Sequence, residues 1–193
     1  MSTLKNNIAA RRIALLASKQ EVLFHASDLA NWWGIVNKNT LRVTLQRYAK
    51  QGLLHRVYRG FYSLVPLASL DPVAVGAQAL HRFCYLTTES VLYEHGIMSQ
   101  KPSAWTFVSE KAGRLKVGEW NFKSRQLHSR HLYGSEGVVQ RGNVQIATPE
   151  RALADLLYFN PKTHVDKPVD WNGVRRIQKA IGYPLTPHRY AHP

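Results

Sequence analysis

The sequence has a single cysteine, Cys84, among its 193 residues. One cysteine excludes an intrachain disulfide and a zinc site built from cysteine pairs. Cys84 lies in the apolar run RFCYL, so we expect it to be a core residue rather than a nucleophile. This cysteine usage fits a reducing compartment, and we expect a cytoplasmic location.

Long apolar runs are also missing. No stretch approaches the roughly 18 consecutive apolar residues from which a transmembrane helix is predicted, so we expect no membrane partner. Hydrophobic residues nevertheless make up 45% of the chain, which is enough to form a buried core.

Sequence patterns typical of catalysis are absent as well. No Asp or Glu is followed two positions later by another acid or by a lysine, which excludes a local carboxylate pair for nucleotidyl transfer and a common nuclease triplet. There is no glycine-rich phosphate loop. His128 and His131 lie in an expected strand region, where their spacing places them on opposite faces. We interpret Glu150 and Asp155 as helix-dipole and surface charges. The chain is therefore expected to have no enzymatic activity, metal or cofactor.

Positive charge is plentiful and unevenly distributed. The formal net charge is +14, which favours polyanionic partners. Residues 1–65 contain ten basic and two acidic residues, a net charge of +8, whereas residues 66–193 contain sixteen and ten, a net charge of +6. The charge density is thus highest in the first third of the chain.

Residues 38–64, KNTLRVTLQRYAKQGLLHRVYRGFYSL, predict a helix followed by a β-hairpin. Leu41, Leu45 and Tyr48 recur at helical spacing and form one apolar stripe. Asn39 or Thr40 is the expected N-cap, and Gly52 the expected end of the helix. The hairpin strands are predicted at 54–58 and 61–65, with a tight turn at Arg59-Gly60 that needs glycine at positive φ.

Upstream, helices are predicted at 4–19 and 28–33, the second capped by Ser27 or Asp28, and Val22 and Phe24 are expected to form a small strand beside the hairpin. This order predicts a winged helix-turn-helix domain that binds double-stranded DNA. Arg, Asn and Gln can contact base edges in the major groove, and Lys and Arg can contact phosphates. The candidate DNA-binding residues are Lys38, Asn39, Thr40, Arg42, Val43, Gln46, Arg47, Lys50, Arg56 and Arg59.

The rest of the chain alternates between helix and strand signals. A helix capped by Asp71 is expected from residue 72 to about 82, a second begins after Thr87 or Thr88, a third begins at Thr148-Pro149, and a last one is capped by Asp170. Short strands are expected between residues 113 and 147. We therefore predict an α+β fold, with a winged helix-turn-helix domain at 1–66 and a compact α+β domain at 67–193.

Four segments resemble the AbiEi family of antitoxins and repressors of type IV toxin–antitoxin systems. They are the helix predicted at the start of residues 38–64, followed by LLHRVYRGFYSL, YLTTESVLYEHGI and VQIATPERALADLL, and they occur in the family's order. The resemblance implies a transcriptional autorepressor that binds inverted repeats in its own promoter. Because a symmetric operator requires two copies, we expect a weak or DNA-induced dimer. It also implies a C-terminal domain that protects against a nucleotidyltransferase-like toxin without forming a stable complex with it.

Three alternatives remain open from the sequence. The chain could be a solitary winged-helix regulator without a toxin partner, and a neighbouring toxin gene would distinguish the two. It could be a nucleic-acid-processing enzyme with a winged-helix targeting module, which activity with Mg²⁺ would reveal. It could bind RNA, although an exposed helix fits the major groove of B-form DNA and not the narrow one of A-form RNA.

Overall fold

The computed structural model describes residues 2–186, with side chains from residue 7 onward. Within this range the chain combines α-helices with two separate β-sheets, in agreement with the predicted α+β class. It divides into two compact units, Met1–Ala79 and Leu80–Pro193. None of the described helices is both long and apolar enough to cross a membrane.

The first unit contains a helical layer and a small sheet. Its elements are α1 (Ser2–Ala17), β1 (Phe24–His25), α2 (Ala26–Trp33), α3 (Lys38–Lys50), β2 (His55–Tyr58), β3 (Phe61–Ser63) and α4 (Pro72–Leu80). The strands form an antiparallel sheet in the order β1-β3-β2. One cluster of buried side chains joins the helices to the sheet: Leu16, Phe24, Leu29, Leu45, Tyr48 and Leu54.

Helix α4, except for its last residue, belongs to the first unit in the structure, so the division falls later than the sequence-based boundary after residue 66. The helix starts as predicted, with the Asp71 side chain accepting a hydrogen bond from the Val73 N–H (3.0 Å). The Gln78 side chain accepts one from the Leu23 N–H (2.8 Å), which ties α4 to the segment before β1.

Helix α2 begins two residues before its predicted start. His25, rather than Ser27 or Asp28, is the N-cap, and its Nδ1 accepts a hydrogen bond from the Ser27 N–H (3.3 Å). An imidazole nitrogen can therefore replace the usual hydroxyl or carboxylate cap, a substitution that residue preferences do not anticipate.

The second unit is built on a six-stranded mixed sheet in the order β6-β7-β5-β4-β9-β8. The strands are β4 (Cys84–Leu86), β5 (Trp105–Ser109), β6 (Gly113–Val117), β7 (Trp120–Gln126), β8 (Val138–Arg141) and β9 (Val144–Ala147). The helices are α5 (Glu89–Glu94), α6 (Ser129–Leu132), α7 (Pro149–Phe159) and α8 (Trp171–Ile181). Strand β5 runs parallel to β7 and β4 runs parallel to β9, while the other neighbouring pairs are antiparallel.

The expected strand around His128 and His131 is wrong, because this segment forms the short helix α6. His128 caps the helix through Nδ1, which accepts a hydrogen bond from the Arg130 N–H (3.3 Å). His131 is buried, and its Nδ1 lies 2.7 Å from the Ile181 carbonyl oxygen. Both imidazoles therefore have structural partners within the second unit.

A buried ion pair joins the elements of the second unit. Arg151 and Asp155, four residues apart on α7, both have fully buried side chains, and Arg151 Nε donates to Asp155 Oδ1 (3.0 Å). The Arg151 guanidinium satisfies all five of its N–H groups, because Nη1 and Nη2 donate to four further acceptors. These are the carbonyl oxygens of His131, Gly134 and Glu136 and the Tyr85 hydroxyl.

The interpretation of Asp155 as a surface charge is wrong. Its Oδ1 also accepts from the Tyr183 hydroxyl (2.8 Å), and its Oδ2 accepts from Thr87 Oγ1 (2.7 Å). Burial, and next the Asp155 charge, raise the pKa of Tyr183 above its ordinary value, which keeps this phenol protonated as a donor. Asp155 thus ties the end of β4 to the segment after α8.

The Cys84 thiol is buried as expected, and burial raises its pKa to about 12, so the thiol stays protonated at neutral pH.

Replacing Arg151 by methionine should severely destabilise the second unit. Asp155 would remain as a buried charge without its cation, and three carbonyl oxygens would lose a donor. We expect the free energy of unfolding to fall by about 3–5 kcal/mol, measured by urea denaturation of the full chain. The control is Arg176→Met, which makes the same change at an exposed position on α8. Equal stability of the two variants would contradict the role assigned to Arg151.

Candidate nucleic-acid interface

Asn37 fixes the start of helix α3. Its Oδ1 accepts hydrogen bonds from the N–H groups of Asn39 (2.9 Å) and Thr40 (3.0 Å). The predicted N-cap, Asn39 or Thr40, is therefore wrong by two or three residues, because both residues contribute backbone donors to the cap instead of side-chain acceptors. Their side chains are exposed in the first turn.

The inward face of α3 holds the helix on the core of the first unit. Thr44, Leu45 and Tyr48 are buried. The Tyr48 ring packs edge-on against Trp33 at 5.7 Å between centroids, and the Tyr48 hydroxyl accepts a hydrogen bond from Arg12 Nη1 (3.4 Å). The face opposite to these anchors is thereby held towards solvent.

Gly52 terminates helix α3 as predicted, two residues after its last helical residue, Lys50. Gly52 has a φ of 70°, in the left-handed region, and its N–H donates to the Ala49 carbonyl (3.1 Å). The Leu53 N–H donates to the Tyr48 carbonyl (2.9 Å), which completes the hydrogen-bond pattern of a Schellman cap. The chain can then reverse direction immediately into β2.

The outward face of α3 contains all eight candidate residues predicted on this helix, and all are exposed. They are Lys38, Asn39, Thr40, Arg42, Val43, Gln46, Arg47 and Lys50. Val43 is 56% exposed although it is apolar. The guanidinium of Arg47 lies 5.3 Å from the ring centroid of Tyr48, which gives this cation a partial support on the helix surface.

The hairpin after α3 is shorter than predicted. Its strands cover 55–58 and 61–63 instead of 54–58 and 61–65, because the Ser63 hydroxyl donates to the Val65 carbonyl (2.8 Å) and accepts from the Val65 N–H (3.0 Å). This local turn ends β3 at Ser63. The expected small strand is present at Phe24–His25 and pairs with β3, but it does not include Val22.

Glycine is required at the hairpin turn. Gly60 has a φ of 73°, and a Cβ at this position would lie 3.2 Å from Nε2 of His25. The Gly60 carbonyl accepts a hydrogen bond from the Ala26 N–H (2.7 Å), so the turn is joined to the start of α2. Arg56 and Arg59 are both exposed on this hairpin.

The segment that forms α3 and the hairpin contains no carboxylate that could neutralise its positive charge. Between Asp28 and Asp71 the sequence has six lysines and arginines and no Asp or Glu. The six cations are the four on α3 together with Arg56 and Arg59. A surface with charges of one sign attracts a polyanion most strongly at low ionic strength.

Comparison with known proteins supports the overall fold. No family model matches this sequence, and no curated protein matches it. The chain resembles the RV2827C protein from Mycobacterium tuberculosis. That crystal structure matches with a TM-score of 0.54 and 14% sequence identity, over 92% of this chain and 72% of that one. At this identity the likeness concerns the fold alone.

Replacing Asn37 by alanine should destabilise the first unit through α3. Two N–H groups of the first helical turn would lose their acceptor, so we expect the free energy of unfolding to fall by about 0.5–2 kcal/mol. Asn39→Ala is the matched control, because it removes the same side chain two residues later without removing the cap. Urea denaturation of both variants measures the difference. Equal losses would show that Asn37 does not act as the cap.

Proposed function

We propose that the first unit is a winged helix-turn-helix domain that binds double-stranded DNA, with α3 as the recognition helix and the β2–β3 hairpin as the wing. One observation carries this proposal. The ten candidate residues are all exposed on a helix and a hairpin adjacent in sequence, and the segment between Asp28 and Asp71 contains no acid. The inward anchoring of α3 by Tyr48 supports it, since a rigid helix can enter the major groove without reorganising.

The proposed contacts follow from the chemistry of each side chain. Arg42, Gln46 and Arg47 offer hydrogen bonds to purine edges, and the exposed Val43 offers an apolar contact to a thymine methyl group. The remaining cations, including Arg56 and Arg59 on the wing, bind phosphates or a minor groove. This division assigns sequence reading to one part of α3, and sequence-independent affinity to the wing together with Lys38 and Lys50.

We further propose that the chain is a cytoplasmic autorepressor and antitoxin of a type IV system. The support is the resemblance of four segments to the AbiEi family, in the family's order. In this role two copies bind inverted repeats in the promoter of their own operon, as a weak or DNA-induced dimer. The second unit supplies protection against a nucleotidyltransferase-like toxin without forming a stable complex with it.

Arg42→Ala should weaken binding to DNA from the chain's own promoter and reduce its preference over random duplex. We expect a loss of about 1–3 kcal/mol on the promoter, because a bidentate contact to a base is lost. Arg59→Ala is the comparison variant. It should weaken both duplexes alike and reduce the salt slope of binding by about one unit. Fluorescence anisotropy at several salt concentrations measures both effects.

Two outcomes would contradict these assignments. Equal weakening of promoter and random DNA by Arg42→Ala would make Arg42 a phosphate contact instead of a base reader. Unchanged affinity in both variants would remove α3 and the wing from the interface, and the DNA-binding proposal would fail with them.

Replacing Arg42 and Arg47 together should separate repression from protection. We expect the double variant to lose repression of its own promoter and to keep protecting cells from the toxin encoded beside it, because the proposed protective surface lies in the second unit. The toxin is supplied from an unrelated promoter, so that repression cannot contribute. Loss of protection in the folded double variant would leave a repressor without a separate antitoxin function.

A further inference from the structure

The second unit contains a groove beside strands β5, β6 and β7. It consists of two adjoining cavities of about 280 and 460 Å³, which share Ser103, Ala104 and Lys123 in their lining. Ligand sites in proteins are typically of roughly this size. None of these residues belongs to the proposed DNA interface, which lies in the first unit.

Like charges are brought together along this groove. Arg114 on β6 lies directly opposite Lys123 on β7, and Lys116 lies two residues further along β6 on the same face. Like charges opposite each other destabilise a strand pair. With Lys101 the lining contains four cations, against the single carboxylate of Glu89. This arrangement is suited to an anion that bears more than one negative charge.

Burial also disfavours the charged form of Lys123. Burial lowers the pKa of Lys123 most, and the positive charge of Arg125 lowers it further. The charge of Glu89 raises this pKa, and the charge of Arg114 makes a smaller lowering contribution. An anion bound beside Lys123 would favour its protonated form.

The carboxylate side of the groove has unsatisfied hydrogen-bonding capacity. Glu89 forms an ion pair with Arg125 through Oε1, while its buried Oε2 and the buried Nε of Arg125 have no hydrogen-bond partner among the described residues. An ionised carboxylate oxygen can only accept hydrogen bonds. A ligand that satisfies Glu89 Oε2 must therefore carry an N–H or O–H donor, and the carboxylate of this partly exposed side chain has to rotate towards the groove to meet it.

Thr88, next to Glu89, holds a strained conformation. It has a φ of 55°, which is unusual for a β-branched residue, and it is fully buried. Its hydroxyl neither caps α5 nor has another hydrogen-bond partner among the described residues. Backbone strain of this kind is concentrated at ligand-binding and catalytic sites.

We propose that this groove binds a small phosphorylated ligand with hydroxyl donors, of the sugar-phosphate class. The phosphate contacts Lys123 and the neighbouring cations, and a hydroxyl donates to Glu89 Oε2. The backbone of DNA fits less well, because its phosphates and deoxyribose oxygens offer acceptors only and would leave the Glu89 oxygen without a donor. The proposal is independent of the DNA-binding function of the first unit.

Calorimetric titration of the full chain with ribose 5-phosphate tests the proposal, with inorganic phosphate and ribose as separate probes. We expect saturable binding of ribose 5-phosphate, at least about tenfold tighter than binding of inorganic phosphate, and no detectable binding of ribose. Lys123→Gln should weaken binding of ribose 5-phosphate by about tenfold or more, since it removes one charge-assisted contact. Lys162→Gln, a change at an exposed lysine outside the groove lining, should leave the affinity unchanged.

Further variants separate the two ends of the ligand. Lys116→Gln, at an exposed position, should weaken binding without disturbing the fold, and it provides the test if Lys123→Gln does not fold. Glu89→Gln should reduce the preference for ribose 5-phosphate over inorganic phosphate, because its charged acceptor is replaced by an amide.

Three results would overturn the proposal. They are no binding of ribose 5-phosphate, equal affinity for ribose 5-phosphate and inorganic phosphate, or affinities that Lys116→Gln and Lys123→Gln do not change. If these two variants instead lower the salt slope of DNA binding and ribose 5-phosphate does not bind, the groove is a contact surface for DNA phosphates.

Discussion

The second unit depends on a guanidinium that has been removed from water and given five acceptors. Arg151 reaches β4 through Tyr85, the segment 131–136 through three carbonyl oxygens, and its own helix through Asp155. A buried cation is tolerated only when its hydrogen bonds are complete, because each missing acceptor leaves a desolvated donor. Lysine could not replace it, since an ammonium has three donors without the planar spread of a guanidinium. The position of these segments is therefore linked to a single side chain.

The sequence predicted elements where a local pattern determines them. The apolar stripe of α3, the left-handed glycines at 52 and 60, and the caps at Asp71, Thr148 and Asp170 all occur in the structure. The sequence-based predictions were wrong where backbone geometry decides which of several neighbouring residues is the helix cap. Asn37, Asn39 and Thr40 are all acceptable as caps by residue type, and only the backbone conformation selects Asn37.

Long-range features could not be read from the sequence for a different reason. Arg151 and Asp155 stand four residues apart, a spacing that on most helices marks an exposed ion pair. Their burial depends on Tyr85, Thr87 and Tyr183, which lie far away in the chain. The groove of the second unit could not be predicted from the sequence either, because its cations and Glu89 come from separate elements without a shared motif. The candidate interface on α3 and the hairpin was accessible from sequence because its residues are contiguous.

The order of strands in the larger sheet has a consequence for how the chain folds. Strand β4 lies between β5 and β9, and its parallel partner β9 is made only after the whole of β5 to β8. All three residues of β4 are buried in the finished sheet. During synthesis one edge of β4 therefore stays unpaired until β9 has been made as far as Ala147. The small sheet of the first unit can form before that. Pairings that span so much chain are slow to form, and an uncovered apolar edge is prone to aggregation in that interval.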